Sequence, residues 1–253
     1  MLRLVHHQML QRKMRQEESN DELGKSTVKA IKEAIDEGKL EDARELTDYS
    51  ITESKGLHDL MSDWVYDLLD KVAKRFGEQA MYEILKSAQE TWMMKRSWKG
   101  YLRMTVRERV ALTAEVLRSH RCGPDQDGDV TITEDQESLS IVMDPCGSGG
   151  RMRRGDPVDG TPSRLGKPYN FGSTQEEHTW AWSKKDVPYY CIHCAVNETV
   201  MMENGEHPLW VTEFDHDADK PCTWKFYKKA DDIPDVYYDR LGFKKPKSGE
   251  GKY

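Results

Sequence analysis

Leu57-His58-Asp59-Leu60-Met61-Ser62-Asp63-Trp64-Val65-Tyr66-Asp67-Leu68-Leu69-Asp70-Lys71-Val72 decides how the first half of this 253-residue chain is read. Leu57, Leu60, Met61, Trp64, Leu68 and Val72 recur at i, i+3, i+4 and i+7, which predicts an amphipathic helix with those residues on its apolar face. Asp59, Asp63, Asp67, Asp70, Lys71 and Lys74 interleave on the other side, and Gly77 marks a stop. The same period continues outward. Val28, Ile31 and Ile35 form one earlier stripe and Leu40, Ala43 and Leu46 another, with Gly38 between them. Downstream, Met81, Ile84, Leu85, Ala88 and Trp92 form a further stripe, and Val106, Val110, Ala114 and Leu117 the last. From Asn20 to His120 there is no proline and there are only five glycines. Residues 20–121 are therefore expected to be a helical bundle, preceded by an N-terminal extension over 1–19.

After His120 the texture changes, because all ten prolines lie beyond it. Val130 and Ile132, then Leu139, Ile141 and Met143, alternate as two strands do around the acidic turn Glu134-Asp135-Gln136-Glu137. Ala195 to Glu203 reads as a short helix stopped by Gly205, and Leu209–Phe214 with Cys222–Tyr227 as a closing hairpin. The expected fold class is α+β: a helical bundle followed by a loop-rich domain over 122–243 with a small antiparallel sheet, then a frayed tail over 244–253. Residues 145 to 177 are rich in glycine, proline and arginine without periodicity, so something else must hold them in place, and a bound metal is one way to do it.

Composition bounds the function. With 37% hydrophobic and 33% charged residues and no apolar run of eighteen, the chain is expected to be soluble, with no membrane partner. The opening Met1–His7 lacks a stretch long enough for a signal peptide, which points to a cytoplasmic address. A net charge of −7 argues against a nucleic-acid partner, since phosphate binding needs a concentrated positive field. Long charged helices suit a homodimer.

Five cysteines, an odd number, stand beside histidines rather than forming a disulfide framework. Cys191-Ile192-His193-Cys194 has the spacing with which two thiolates grip one ion, and cytosolic thiols favour zinc or iron. Cys146, in a turn bounded by Pro145 and Gly147, and His178 complete a candidate metal quartet with Cys191 and Cys194. A partial set drawing on His193, Cys222 or a carboxylate is the alternative, and cysteines buried as small apolar side chains are the third reading. A closed four-ligand site would be structural; an open one would activate water, with His193 and Glu177 as the groups that move protons.

Gly147-Ser148-Gly149-Gly150, followed by Arg151, Arg153 and Arg154, combines free backbone amides with fixed positive charge. Ser148, Gly149, Arg151 and Arg153 are thus the candidates to hold the acidic group of a small anionic organic molecule. Trp180, Trp182, Tyr189 and Tyr190 can wall an apolar pocket or complete a core. Gly24-Lys25-Ser26-Thr27 resembles the end of a phosphate-binding loop but has Ser19 where glycine is required, and reads as a helix start.

The C-terminal order of a cysteine-bearing short helix, a glycine, a strand, the turn Phe214-Asp215-His216-Asp217 and then Cys222-Thr223-Trp224-Lys225-Phe226 resembles the end of 4-vinyl reductase domains. It is similar also to 2-aminothiazoline-4-carboxylate hydrolase-like proteins. This resemblance implies an α+β small-molecule pocket over about sixty residues. The leading expectation is a metal-dependent enzyme, with zinc and a hydrolase or lyase reaction on a small anionic substrate. The rival is a non-enzymatic ligand-binding or interaction protein with a structural zinc.

Overall fold

A computed structural model describes residues 4–16, 19–205 and 207–247. The fold is α+β, and the chain divides into two compact units, Met1–Met61 and Ser62–Tyr253. Most of the expected tail lies outside the described residues. No helix of the described residues is long and apolar enough to cross a membrane.

In the first unit, the residues expected to be a mere extension pair as an antiparallel hairpin, β1 (Leu4–His7) with β2 (Arg12–Arg15), Leu4 opposite Arg15. Helix α1 (Asn20–Leu23) is capped by Ser19, which accepts from the Glu22 amide. Helix α2 (Thr27–Asp36) begins where the glycine–lysine–serine stretch was read as a helix start, and buries Thr27, Ala30 and Ala34. The buried Arg15 donates to the Glu22 carbonyl at 2.6 Å. The unit closes with the first part of α3 (Leu40–Phe76), which runs unbroken through the two stripes read as separate helices.

The second unit opens with the rest of α3, then α4 (Glu78–Gln89), a π-helical segment over Glu90–Ser97, α5 (Trp98–Tyr101) and α6 (Val106–Ser119). Thr105 and Glu108 form a reciprocal capping box at the start of α6. Strands β3 (Thr131–Glu134) and β4 (Ser138–Met143) pair antiparallel around the expected acidic turn, and β5 (Val211–Glu213) pairs with β6 (Cys222–Tyr227). Pairing of β4 with β6, Met143 opposite Cys222, makes one four-stranded sheet in the order β3-β4-β6-β5. Helix α7 (Gly149–Arg154) follows β4, α8 (Ile192–Gly205) precedes β5, and α9 (Val236–Asp239) follows β6. Helix α8 is buried almost all round, as a core helix must be.

Two expectations are corrected here. The division near residue 122 does not exist: Leu69, Ala73, Met81, Leu85, Val110, Ala114 and Leu117 share one hydrophobic cluster with Ile141, Met143, Phe226 and α8. The helices after Ser62 and the sheet need each other to cover their apolar faces. The apolar face read on α3 is also the wrong one. Leu57, Leu60, Met61, Trp64 and Leu68 are exposed, whereas Ser62, Tyr66, Leu69, Asp70 and Ala73 are buried. That buried row also keeps helical spacing. It wins because it carries partners for the irregular segment: the Tyr66 hydroxyl donates to the Gly172 carbonyl (3.0 Å), and the Gly172 amide donates to Asp70 (2.8 Å).

Helix carboxylates hold the loop-rich stretch. Asp63 takes both arms of Arg164 at 2.8 and 3.1 Å. Glu78 accepts from the Gln175 amide and the Tyr189 hydroxyl on one oxygen, both at 2.8 Å, and meets His178 Nε2 at 2.7 Å on the other. At the centre, the fully buried Glu198 accepts from Trp182 Nε1 (3.0 Å), the Thr212 amide (2.8 Å) and Arg240 Nη2 (2.6 Å).

Glu198→Ala leaves a guanidinium, an indole N–H and an amide unpaired at once, and is expected to cost about 3–5 kcal/mol in urea unfolding, with Glu198→Gln costing less. Glu78→Ala is expected to lower stability by about 2–4 kcal/mol and to open residues 172–190 to limited proteolysis; an unchanged cleavage pattern would show that this carboxylate does not hold the segment.

Candidate functional site: a cysteine-lined cavity

A cavity of about 520 Å³ lies in the second unit among α3, α4, α6, the turn between β4 and α7, the start of α8, and the sheet. Val65, Trp92 and Val116 line it while remaining exposed, which gives it an apolar rim. Trp182, Phe214 and Trp224 supply aromatic wall. Four of the five cysteines stand around it: Cys146 in the β4–α7 turn, Cys191 and Cys194 at the entry to α8, and Cys222 at the first position of β6. The fifth, Cys122, is fully buried and accepts from the Gly147 amide at 3.4 Å; burial pushes its thiol up to about 12.

The glycine-rich turn exists for close approach. A Cβ on Gly147 would stand 1.6 Å from the His120 carbonyl oxygen, and one on Gly149 would stand 2.8 Å from Cys191 Sγ. These glycines let the turn pass close under the end of α6 and bring Gly149 against Cys191. The predicted substrate residues Ser148 and Gly149 line the cavity, with the Ser148 hydroxyl 3.7 Å from Cys146 Sγ.

The four thiols are not equivalent. Cys146 is held well below the ordinary thiol range, first by a hydrogen bond from the Cys222 thiol and then, against burial, by the Gly150 and Ser148 amides and the Ser148 hydroxyl. Its donor Cys222 is raised, because losing that proton would lose the bond, and burial adds to the effect. Burial pushes Cys191 up to about 12 and lifts Cys194 well above its usual value. The surroundings thus favour the anion at Cys146 and disfavour it at the neighbouring thiols.

His193 lines the cavity as well. Its Nδ1 lies 2.5 Å from the Tyr190 carbonyl oxygen, which only accepts, so the ring proton is assigned to Nδ1. Nε2 then accepts from the Cys194 thiol at 3.4 Å, and burial lowers the imidazole pKa. Glu177, the other predicted proton carrier, is exposed and is no part of the cavity wall.

The quartet of Cys146, His178, Cys191 and Cys194 is not brought together. Cys146, Cys191 and Cys194 share the cavity, but His178 is taken by the Glu78 carboxylate and stacks on Trp180 with ring centres 4.1 Å apart. Among the described residues, no three of the cysteine and histidine ligand atoms around the cavity lie within 4.8 Å of one another. A tetrahedral zinc or iron ion needs a tighter donor set, so the residues as placed do not fit it.

The arginine clamp is not formed either. Arg151 is neutralised by Asp156 at 2.6 Å, with both side chains nearly fully buried, and its Nε donates to the Gly147 carbonyl at 3.0 Å. Arg153 lies over Phe214, 4.8 Å from the ring centre, and donates to the Asp215 carbonyl at 2.7 Å. Phe214 faces the cavity; Arg153 does not line it. Both guanidinium groups are buried in the protein.

Sequence reading passed over Gln89, Asn197 and Thr212, all buried and all lining the cavity. A signal was present for the first two. Gln89 continues the buried row Met81, Leu85 of α4, and Asn197 lies with Glu198 and Thr199 in the buried middle of α8; a polar side chain in a core phase asks for a partner.

Iodoacetamide is expected to label Cys146 ahead of the other four cysteines near neutral pH, read by peptide mass mapping. Because the folded pKa is depressed, its labelling persists as pH falls below the ordinary thiol value of about 8.5. Cys222→Ala removes the leading donor and should move that profile upward. No protein-family model matches this chain, and neither a curated protein nor a solved structure matches it.

Proposed function

We propose that the protein is an enzyme of hydrolase or lyase type that admits a small, mostly apolar organic molecule to this cavity and attacks it with the sulfur of Cys146. The observation that carries this reading is one cysteine, its sulfur 3.7 Å from the Ser148 hydroxyl, on the wall of an aromatic-lined cavity large enough for a small ligand.

In the hydrolytic form, the Cys146 thiolate forms a bond to an electrophilic carbon. The leaving group departs with the proton of the neighbouring Cys222 thiol. Water then attacks the same carbon, gives one proton back to Cys222, and releases Cys146 as a thiolate. Desolvation by the apolar walls raises the nucleophilicity of the sulfur, and the Ser148 hydroxyl lies 3.7 Å from it. The expected zinc or iron is assigned no step, because the donor atoms do not fit it.

p-Nitrophenyl acetate is a suitable probe, followed by nitrophenolate release and by mass spectrometry of the quenched protein. A burst of about one equivalent, with one acetyl group on the Cys146 peptide, is expected, and Cys146→Ser should lower the rate by about a hundredfold or more. Binding without a burst would favour the ligand-carrier reading. Elemental analysis of the same sample separates the metal reading: stoichiometric zinc or iron, lost in Cys146→Ser, would make Cys146 a ligand and overturn its role as nucleophile.

A further inference from the structure

The apolar stripe that periodicity marks on α3 is not covered by the described residues. Leu57, Leu60, Met61, Trp64, Val65 and Leu68 are each 40–66% exposed, and all six lie on one unbroken helix. Apolar residues exposed singly are ordinary. Six on one face present roughly 700 Å² of apolar surface, more than the few hundred Å² of a typical monomer's largest patch and close to the ~800 Å² that each partner brings to a standard interface.

The spacing says what fits that face. Leu57, Met61, Trp64 and Leu68 stand four, three and four residues apart, the alternation with which the seam of one helix interlocks with the seam of another. A second copy of α3 carries the same seam, and antiparallel pairing makes it self-complementary. About a two-fold axis between Met61 and Trp64, Leu57 meets the partner's Leu68 and Met61 meets the partner's Trp64.

Charge selects that direction. Lys71 and Lys74 each meet an aspartate of their own helix, Asp67 and Asp70, but Lys71 continues the seam and is exposed. A parallel partner would press Lys71 against its own copy, whereas an antiparallel one offers Ser54 at that layer. Antiparallel chains also bring the exposed Glu53 beside the partner's Lys74.

The same face reaches the cavity. Val65, next to Trp64 on α3, belongs both to the exposed stripe and to the cavity rim, with Trp92 and Val116 completing that rim. A helix laid along the seam passes over Val65 and covers that side of the mouth.

We infer that α3 pairs antiparallel with α3 of a second copy across Leu57, Met61, Trp64 and Leu68, and that the partner's helix forms part of the mouth of the cavity. The pairing goes beyond the reaction assigned to Cys146 and does not depend on it.

Sedimentation equilibrium of the full chain is expected to return twice the chain mass of 29.3 kDa. Trp64→Glu and Leu68→Glu should each raise the dissociation constant about a hundredfold or more, with circular-dichroism melting showing that each variant is folded. Val236→Glu, at an exposed position of α9, should leave the mass at two chains. Direction is read by joining Leu57→Cys and Leu68→Cys chains with a short bismaleimide and mapping the linked peptides. Antiparallel chains join these positions only in the mixture; parallel chains join them in each variant alone. A bulky maleimide should label Cys146 several-fold faster in Leu68→Glu than in wild type, and equal labelling would overturn the closure of the mouth. A single-chain mass up to about 100 µM, a dimer that survives both glutamates, or self-linking of either cysteine variant would each overturn the pairing. Sedimentation with phosphatidylcholine vesicles, lost in Trp64→Glu, would overturn it in favour of a lipid surface. Acetyl transfer to Cys146 in a monomeric protein sinks the pairing alone; a dimer without acetyl transfer sinks the nucleophile alone.

Discussion

The second unit turns on Glu198, a fully buried carboxylate with three donors from three different segments. Burial raises its pKa, while Arg240, the Thr212 amide and the Trp182 indole pull the other way. An isolated charge at that depth would be untenable, so the carboxylate is stable only while α8, β5, the turn at Trp182 and the residue after α9 converge on it. Two of its partners, Trp182 and Thr212, are themselves cavity wall. The shape of the cavity and the satisfaction of one buried charge are the same condition.

A second set of carboxylates works at the surface of α3 and α4. Asp63, Asp70 and Glu78 hold a stretch of about thirty residues that has little secondary structure of its own. Ion pairs and charge-assisted hydrogen bonds do here what a metal was expected to do, and the choice has a cost in appearance. By giving its polar row to the loop, α3 leaves Trp64 and Leu68 in solvent. Apolar area alone would have turned the helix the other way; the unpaired backbone of a buried loop outweighs it, since each orphaned group costs about 1–3 kcal/mol.

Around the cavity, similar residues are driven to different states by their neighbours. Cys146 and Cys222 differ because one accepts what the other donates, and Cys191 and Cys194 stay protonated because burial has no comparable donor to oppose it. Arg151 and Arg153, two residues apart, both turn inward, one to a carboxylate and one to an aromatic face. The polar groups that line the cavity are therefore thiols, the His193 imidazole and neutral side chains.

Most of the elements were legible in local pattern: helices where apolar residues recur every three or four positions, strands at Leu139–Met143 and Cys222–Tyr227, an irregular stretch between, and an α+β fold. It also marked Cys146, Cys191, Cys194 and His193, because their spacing and turn residues are local features. Tertiary structure alone decided which row of α3 is buried, that His178 belongs to Glu78 a hundred positions away, that Arg151 is spent on Asp156, and that Cys222, Gln89 and Asn197 meet at one cavity. Periodicity tells which side chains share a face. It does not tell which partner waits opposite that face, and a buried charge or a reactive thiol is defined by its partner.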